Sequence, residues 1–387
     1  MRTVGVVTTS RSDYGIYLPL LRGIQADRSL RLDLFVGGMH LAPEFGMTFR
    51  QIEADGFEAA ERIEMDVSSD RPEAVAASAG MACAGFARAF ARRRPDILVA
   101  LGDRIEMHAA ALAALPLRIP VAHLHGGELT RGAIDDALRH SMTKLSHLHF
   151  TSTEAYARRV RQLGEEPWRV TVAGALSLDN LGRLERLSVE ELERRFALRF
   201  RPPPLLVTFH STTLEHEQAG EQTDALLAAL DLCAMPTVFT LPNCDTGGRI
   251  IIRKVREFVA TRGFARLVEN FGPEAYFSVM AVAAAMVGNS SSGIIEAPSF
   301  GLPVVNIGTR QDGRIRAANV IDVGYGKTEI AAAIQRAVSK EFRASLSGQA
   351  NPYGDGRAAE RILDRLKSVS LDERLLVKCF ADMGTDR

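Results

Sequence analysis

Short apolar runs alternate with helical segments along almost the whole chain. In the first half, the runs that we interpret as strands cover residues 3–8, 32–36, 96–101, 120–124, 148–151 and 170–173. The run that ends at Leu101 is continuously apolar, as buried parallel strands are. Because strands that alternate with helices pair through right-handed crossovers, the sequence predicts a Rossmann-like α/β domain with a parallel sheet.

The same alternation begins again after residue 204. Residues 174–204 contain a charged helix (189–195) and three consecutive prolines, so we assign them to the connection between domains. Further strands are predicted at 205–209, 237–241, 266–268, 303–307 and in a short run ending at Val287. A chain of 387 residues exceeds the usual size of one hydrophobic core. We therefore predict Rossmann-like domains at 1–178 and 179–352, followed by C-terminal helices (353–387) that cross back to the first domain.

Charge and cysteine usage exclude several classes of protein. Lys plus Arg and Asp plus Glu both number 47, so no global field attracts nucleic acid, and local arginines must hold any anionic ligand. The four cysteines have no metal-like spacing and fit a reducing cytoplasm. The N-terminus lacks a signal-peptide pattern, and the longest apolar run, 277–288, is too short to span a bilayer. We expect a cytoplasmic protein with no nucleic-acid or membrane partner, no metal and no cofactor.

The most informative turn follows the predicted strand that ends at Val287. Residues 288–293 (Gly-Asn-Ser-Ser-Ser-Gly), named here the phosphate turn, precede a helix predicted over 293–300. Free backbone N–H groups at a helix N-terminus bind anions, and the hydroxyls of Ser290 and Ser291 add donors without adding charge. The turn is therefore a candidate site for the diphosphate of a nucleotide.

Charged side chains near the phosphate turn favour a nucleotide over bare phosphate. Glu296 lies one turn into the predicted helix, where a carboxylate can accept hydrogen bonds from two ribose hydroxyls. Arg310, Arg314 and Arg316 follow the next strand and can pair with phosphate oxygens. The alternative is a polar turn without a ligand, and the arginines make that interpretation weaker.

Other strand ends carry groups that suit ligand binding or acid–base chemistry. In open α/β sheets ligands bind at the carboxyl ends of the strands, so Arg11 is a candidate phosphate or sugar contact, or else a solvated loop residue. Asp103, Glu128 and Asp135 lie near neighbouring strand ends, and carboxylates crowded in a closed cleft have raised pKa values. Any one of them could instead cap a helix or form a surface salt bridge. The three together favour general acid–base catalysis.

The histidines leave further alternatives open. His210 directly follows the first strand of the second domain, where it can donate to a phosphate, act as an acid, or simply cap a helix. Residues 123–125 and 147–149 each form a His-x-His pair that suggests zinc. Each pair places only two residues on one face of a strand, with no cysteine nearby, which disfavours a metal site.

Several short motifs, in the same order along nearly the whole chain, resemble one family. They are residues 11–15 (Arg-Ser-Asp-Tyr-Gly), 102–104 (Gly-Asp-Arg), 126–128 (Gly-Gly-Glu), 134–136 (Ile-Asp-Asp) with Arg139, His140, Thr143 and Lys144, 288–291 (Gly-Asn-Ser-Ser), 308–311 (Gly-Thr-Arg-Gln) and 351–356 (Asn-Pro-Tyr-Gly-Asp-Gly). With these motifs the chain resembles the hydrolysing UDP-N-acetylglucosamine 2-epimerases of bacterial sialic-acid synthesis.

The resemblance implies a GT-B fold, in which two Rossmann-like domains hold a nucleotide sugar in an interdomain active-site cleft. It also implies a homodimer or homotetramer built on the N-terminal domains. The UDP-binding residues that it implies are Arg11, Arg104, Arg139, His210, Asn243, Ser290, Ser291, Glu296 and Arg310. Acid and base roles are implied for Asp103, Glu128 and Asp135, with His210 as a further candidate.

Two departures from the family pattern leave specific points open. The related non-hydrolysing enzymes carry a glutamate where this chain has His125, and Glu128 follows three residues later, so either residue can carry the acid–base role. The sequence His210-Ser211-Thr212 stands where family members commonly have His-Pro, which is compatible with a different substrate.

The reaction that the resemblance implies agrees with these residues. A base removes the poorly acidic proton at C2 of an N-acetylhexosamine while the nucleotide diphosphate leaves C1, and arginines stabilise the charge on the leaving group. Hydration of the resulting glycal releases the free epimer. We expect conversion of UDP-N-acetylglucosamine to N-acetylmannosamine and UDP. The alternatives are the same chemistry on a UDP- or GDP-2,4-diacetamido-trideoxyhexose of the legionaminic-acid pathway, a GT-B glycosyltransferase, and a nucleotide-sugar sensor without turnover.

Overall fold

In the part of the chain that the structure describes, the residues form two parallel β-sheets, of seven and six strands. The computed structural model describes residues 1–131, 133–242 and 246–382, and its contacts divide the chain into two compact units. Unit 1 comprises Met1–Glu128, Asp135–Gly182 and the chain from Tyr353 onward, and unit 2 comprises Leu129–Ile134 and Arg183–Pro352. This division differs from the boundaries expected from the sequence in two places, because residues 179–182 belong to unit 1 and residues 129–134 belong to unit 2.

Unit 1 is built on the larger sheet. In chain order its first elements are β1 (Arg2–Thr8), α1 (Arg11–Ala26), β2 (Leu30–Gly37), α2 (Phe49–Ala54), β3 (Ala59–Ile63), α3 (Pro72–Arg92), β4 (Ile97–Leu101), α4 (Ile105–Ala114), β5 (Val121–Leu124), α5 (Asp135–Leu145), β6 (Leu148–Thr151), α6 (Glu154–Gln162) and β7 (Val170–Val172). Short 3-10 helices cover Gly38–Leu41, Pro43–Phe45, Pro167–Arg169 and Leu176–Gly182. The strand order is β3-β2-β1-β4-β5-β6-β7, so the direction of winding reverses between β1 and β4. Loops that follow strands at such a reversal are the usual ligand-binding position of a doubly wound sheet.

Unit 2 repeats this plan with the smaller sheet. Its elements are α7 (Val189–Phe196), β8 (Leu205–Thr208), α8 (Ala219–Cys233), β9 (Thr237–Phe239), α9 (Gly248–Thr261), β10 (Ala265–Leu267), α10 (Gly272–Val282), β11 (Ala285–Gly288), α11 (Ser291–Ile295), β12 (Val304–Ile307), β13 (Val320–Val323), α12 (Lys327–Val338) and α13 (Lys340–Ser345), with 3-10 helices at Thr213–Gln218 and Ala297–Phe300. The strand order β10-β9-β8-β11-β12-β13 places the reversal between β8 and β11. His210 and the phosphate turn follow these two strands.

The C-terminal helices α14 (Ala358–Ser368) and α15 (Glu373–Leu376) belong to unit 1. The carboxylate of Asp179 accepts hydrogen bonds from the first two backbone N–H groups of α14, at 2.8 and 2.7 Å. Arg169, which is almost fully buried, donates to the backbone oxygens of Leu375 and Val377 at 2.8 and 2.9 Å. Backbone groups of the C-terminal segment are therefore satisfied by side chains of unit 1.

Apolar side chains cover both faces of the unit 1 sheet. One layer includes Tyr17 and Leu20 of α1 with Leu366 of α14, and the other includes Phe86 of α3 and Met107 of α4. Because both faces are buried, the inner strand β4 is apolar throughout rather than alternately polar. The prediction of two parallel-sheet α/β domains is confirmed.

Some predicted elements differ from the observed ones. The helix expected over 293–300 is two pieces, since α11 ends at Ile295 and a 3-10 helix begins at Ala297. Pro298 has no N–H group to continue the helical hydrogen bonds, which explains the break. The sequence did not predict β3, an edge strand of the larger sheet, or β13, an edge strand of the smaller sheet. Most residues of the two strands are only half-buried, and each strand contains at least one charged residue, so they lack the continuous apolar pattern of β4.

Within the described ranges, α3 is the one helix that could cross a membrane by length and composition alone. It connects β3 to β4 and buries Phe86 and Phe90 in the core of unit 1. A helix that covers a sheet has the same apolar composition, so this property of α3 is weak evidence for a membrane segment.

Candidate active site

His125 and Glu128 form a hydrogen-bonded pair in the loop after β5. Nδ1 of His125 lies 2.9 Å from Oε1 of Glu128, and the hydroxyl of Ser152 donates to the same oxygen at 3.0 Å. A carboxylate oxygen only accepts, so in a neutral imidazole the proton is on Nδ1 and the lone pair is on Nε2. Nε2 is buried and has no hydrogen-bond partner in the part of the chain that the structure describes. The carboxylate therefore orients the imidazole and leaves Nε2 as a potential base.

The loop that carries this pair has an unusual backbone. His125 has a φ of 64°, in the left-handed region that residues with a Cβ rarely adopt. Gly127 has a φ of 77°, and a Cβ there would lie 2.4 Å from the backbone oxygen of Tyr156. Strained conformations of this kind are found most often at functional sites. The Gly-Gly-Glu motif is thus explained by the close approach of this loop to α6.

Arg139 joins the ends of β4 and β5. It lies on α5, is 1% exposed, forms an ion pair with Asp103, and donates from Nη1 to the backbone oxygen of Glu128 at 3.0 Å. An arginine remains charged when it is buried, so the ion pair holds the Asp103 side chain against α5. Asp103, Glu128 and His125 are thereby connected through Arg139 and the short loop after β5. UDP binding by Arg139 stays a prediction, and these contacts indicate that it positions the Asp103 carboxylate and the backbone at Glu128.

Arg104 has a buried partner that was not identified from the sequence. Its Nη2 lies 2.8 Å from Oε1 of Glu106, a residue of the first turn of α4 that is 6% exposed. The only sequence signal for this pair is the spacing of two residues, because Glu106 resembles an ordinary first-turn carboxylate of a helix. Arg11 and Asp135 are the first residues of α1 and α5, and both are partly buried.

The remaining histidines of the His-x-His pairs have structural partners. Nε2 of His123 donates to the backbone oxygen of Gly102 at 2.7 Å, next to Asp103, and burial lowers the pKa of His123 to about 3. His147 accepts from the backbone N–H of Val121 at 3.1 Å, and burial lowers its pKa to about 4. His149 lies 3.0 Å from the carboxylate of Glu165. Each of these three histidines thus has one ring nitrogen bound to a protein group.

Asn289 connects three strand ends at the phosphate turn of unit 2. Its side chain is fully buried, with Oδ1 accepting from the backbone N–H of His210 at 2.7 Å and Nδ2 donating to the backbone oxygen of His210 at 2.9 Å. The backbone oxygen of Asn289 accepts from Gln311 at 2.8 Å and from Arg310 at 3.2 Å. The loops after β8, β11 and β12 are therefore held together by one residue. The motif identified from the sequence included Asn289, but its bridging role depends on contacts that the sequence does not show.

Candidate nucleotide-binding side chains lie in this turn and next to it. Ser290 caps α11 by accepting from the N–H of Ser292 at 3.4 Å, Ser291 is the first residue of α11, and Glu296 directly follows the helix and is 7% exposed. Because α11 has only five residues, its dipole is smaller than that of the longer helix predicted over 293–300. Hydroxyl groups and Arg310 are then the main candidates to hold a diphosphate. Asn243, also expected to contact UDP, lies outside the described residues.

Comparison with known proteins gives matches over the whole chain. The family model described as UDP-N-acetylglucosamine 2-epimerase matches residues 22–367. The chain is 38% identical over 385 residues to the GDP/UDP-N,N'-diacetylbacillosamine 2-epimerase (hydrolyzing) of Campylobacter jejuni, covering 99% of both chains. It is 34% identical to the UDP-N,N'-diacetylbacillosamine 2-epimerase (hydrolyzing) of Legionella pneumophila, covering 98% of this chain and 100% of that one. It is also 36% identical to the polysialic acid biosynthesis protein P7 of Escherichia coli, covering 96% of both.

A solved structure supports the fold. The crystal structure of UDP-GlcNAc 2-epimerase from Neisseria meningitidis bound to UDP-GlcNAc is similar, with a TM-score of 0.80 and 18% identity, covering 95% of this chain and 100% of that chain. This likeness confirms the predicted GT-B fold. The family model and the three relatives together show that the chain belongs to the hydrolysing UDP-N-acetylglucosamine 2-epimerase family.

Proposed function

We propose that this protein converts a UDP-linked 2,4-diacetamido-trideoxyhexose into UDP and the free sugar with inverted configuration at C2. Two of the three relatives described above are named for diacetylbacillosamine nucleotides, including the one with 38% identity. The sequence His210-Ser211-Thr212, where family members commonly have His-Pro, also supports a substrate other than UDP-N-acetylglucosamine. The comparisons therefore support the diacetamido sugar nucleotide more than UDP-N-acetylglucosamine as the substrate.

The hydrogen-bonded pair of His125 and Glu128 carries the proposal for the chemistry. We assign Nε2 of His125 to removal of the C2 proton, because it is the ring nitrogen without a partner among the described residues. Glu128, with its carboxylate held by Ser152, stabilises the imidazolium that forms. Of the two candidates that the sequence left open, we therefore assign proton transfer to His125 and the orientation of its imidazole to Glu128.

A second proton transfer must act on the opposite face of C2 to invert its configuration. We assign this step to Asp103 or Asp135. Asp103 is held by Arg139, and Asp135 begins α5, the helix that also carries Arg139. Both carboxylates belong to unit 1, as does His125.

The diphosphate is assigned to unit 2. Ser290 and Ser291 lie in the phosphate turn and Arg310 donates to it, and these donors favour the leaving diphosphate because its negative charge increases as the bond at C1 breaks. Glu296 is assigned to the ribose hydroxyls, and His210 to a phosphate oxygen. In this scheme elimination gives a glycal, and water added across it gives the free sugar.

The test is an NMR experiment in deuterated water. The purified protein is incubated with the UDP-linked diacetamido sugar, its GDP counterpart and UDP-N-acetylglucosamine in separate tubes. We expect UDP and the free C2 epimer with deuterium at C2, at the highest kcat/KM with the UDP-linked diacetamido sugar. Release of UDP with the C2 proton retained would mean simple hydrolysis and would contradict the elimination.

A second candidate is conversion of UDP-N-acetylglucosamine to N-acetylmannosamine. It is supported by the relative from Escherichia coli, which is named for polysialic acid biosynthesis and is 36% identical. The same experiment distinguishes the two, since a higher kcat/KM with UDP-N-acetylglucosamine would establish this candidate and displace the diacetamido sugar.

A further inference from the structure

Glu215 accepts hydrogen bonds from three side chains of unit 2. Its Oε1 accepts from the hydroxyl of Thr309 at 2.6 Å, and its Oε2 accepts from Tyr325 at 2.7 Å and from Gln222 at 2.8 Å. Partial burial acts to raise the pKa of Glu215, but the hydrogen bonds from Thr309, Tyr325 and Gln222 lower it overall. The residue is thus an ionised acceptor at neutral pH. Glu215, Thr309 and Tyr325 are named here the Glu215 clamp.

The Glu215 clamp supports the loop that follows β12. Gly308 has a φ of 74°, and a Cβ there would lie 2.2 Å from the ring of Tyr325, so the loop passes directly over this ring. Thr309 is the next residue and is bound by Glu215. The two residues after it, Arg310 and Gln311, donate to the phosphate turn. Glu215 thereby fixes the residue that precedes the proposed diphosphate ligand.

The loop after β8, which contains Glu215, and the loop after β12 both bind the segment Leu129–Ile134. This segment belongs to unit 2, although its neighbours along the chain belong to unit 1. The N–H of Ile134 donates to the hydroxyl of Thr213 at 3.0 Å. The N–H of Arg131 donates to the backbone oxygen of Asp312 at 3.2 Å. Thr213 lies two residues before Glu215, and Asp312 lies three residues after Thr309, so both acceptors flank the clamp.

The ends of this segment are covalently joined to Glu128, which orients His125, and to Asp135, one of the two candidates for the second proton transfer. Glu128 precedes Leu129, and Asp135 follows Ile134. A side chain of Leu129 also packs closely against Gly313, where a Cβ would lie 2.6 Å from the Leu129 side chain. The segment is therefore the covalent connection between Glu128 and Asp135.

We propose that Glu215 is a positioning residue for the reaction. This proposal rests on the function proposed above. The Glu215 carboxylate holds together the loop of Arg310 and the loop that binds Leu129–Ile134. Glu215 therefore serves both diphosphate binding and acid–base chemistry without contacting the reacting atoms.

The test compares Glu215→Ala and Glu215→Gln with a matched control. Asp231→Asn is the control, because Asp231 is also a carboxylate of unit 2 with two hydrogen bonds, from Arg262 at 2.7 and 2.8 Å, and it lies in the last turn of α8. Calorimetry with UDP, steady-state kinetics and thermal unfolding are measured for each. Since bonds to a charged group are among the stronger ones, we expect Glu215→Ala to raise the Kd for UDP and to lower kcat by about tenfold each. Glu215→Gln is intermediate because an amide oxygen still accepts, and Asp231→Asn changes neither.

Hydrogen exchange gives a readout that does not depend on turnover. In Glu215→Ala, peptides that contain Arg131 and Ile134 should exchange faster, whereas peptides from β5 and β6 should exchange as in the wild type. If both Glu215 variants bind UDP and exchange like the wild type, the positioning role is wrong and the proposed function is unaffected. If the wild type does not bind UDP, the proposed function fails and the diphosphate part of this proposal fails with it. Unchanged exchange at Leu129–Ile134 overturns the remaining part.

Discussion

Replacing Asn289 by aspartate changes one NH₂ group into an oxygen and leaves the side-chain shape almost unchanged. One oxygen still accepts from the N–H of His210 at 2.7 Å, but the other now faces the backbone oxygen of His210, which Nδ2 approached at 2.9 Å. Asn289 is 0% exposed, so water does not replace the lost donor. An unsatisfied buried carbonyl costs about 1–3 kcal/mol, and the facing negative charge adds to this. We expect Asn289→Asp to lower the free energy of unfolding by about 3 kcal/mol at pH 8.

Asn319 provides a matched control for this change. It is also 0% exposed, lies in unit 2, and donates from Nδ2 to the backbone oxygen of Leu302 at 2.8 Å. Asn319→Asp therefore makes the same chemical change away from the phosphate turn. For a unit of this size, a loss of about 3 kcal/mol corresponds to a fall in Tm of about 6–12 °C. Both variants should show a fall of this order, but only Asn289→Asp should raise the Kd for UDP, by about tenfold.

The effect of Asn289→Asp should depend on pH in a defined direction. Burial and the facing carbonyl oxygen raise the pKa of the introduced carboxyl in the folded state above its value in the unfolded chain. The protonated form can donate to the backbone oxygen of His210. The loss of stability is therefore greatest at high pH and becomes smaller as the pH falls through the raised pKa.

Urea denaturation of wild type and variant between pH 8 and pH 5.5, with UDP calorimetry, checks this reasoning. A loss smaller than about 0.5 kcal/mol at pH 8 is the size of an ordinary surface substitution and would refute the bridging role of Asn289. Equal UDP affinity in Asn289→Asp and Asn319→Asp would refute its connection to the phosphate turn.

Three further predictions concern unit 1. His125→Gln should lower kcat by about 10²–10⁴-fold with little change in the Kd for UDP, because only proton transfer is removed, and unchanged turnover would assign the base to another residue. Arg139→Met should lower the free energy of unfolding by about 3–5 kcal/mol in urea denaturation, since it leaves a partner carboxylate without its ion pair, whereas a loss below about 1 kcal/mol would show that the pair is not structural. Burial lowers the pKa of His123 to about 3 and of His147 to about 4, from 6.5. Below pH 6.5 the unfolded chain therefore binds more protons than the folded chain. The free energy of unfolding decreases as the pH is lowered, by about 2 kcal/mol for each histidine at pH 5. Urea denaturation at pH 7.5 and pH 5 measures this loss, which should decrease in His147→Asn.

Local sequence patterns were sufficient to locate the strand ends that carry most residues of the candidate site. The carboxyl ends of the strands were recognisable as places where Arg11, Asp103, His210 and the phosphate turn follow apolar runs. Glu106 was missed because a carboxylate in the first turn of a helix is common, and nothing in the sequence shows that this one is buried against Arg104. Glu215 was missed for a similar reason, since its three partners lie 7, 94 and 110 residues away along the chain.

The sequence by itself determined the fold class and the positions of the strand ends, because the alternation of apolar runs and helices and the glycines of the turns act over a few residues. The order of the strands, which places β4 beside β1 and β11 beside β8, was decided only in the tertiary structure. The same holds for the bridging role of Asn289 and for the assignment of Leu129–Ile134 to unit 2. These features depend on hydrogen bonds and packing between segments distant in sequence, and local propensity carries no information about such partners.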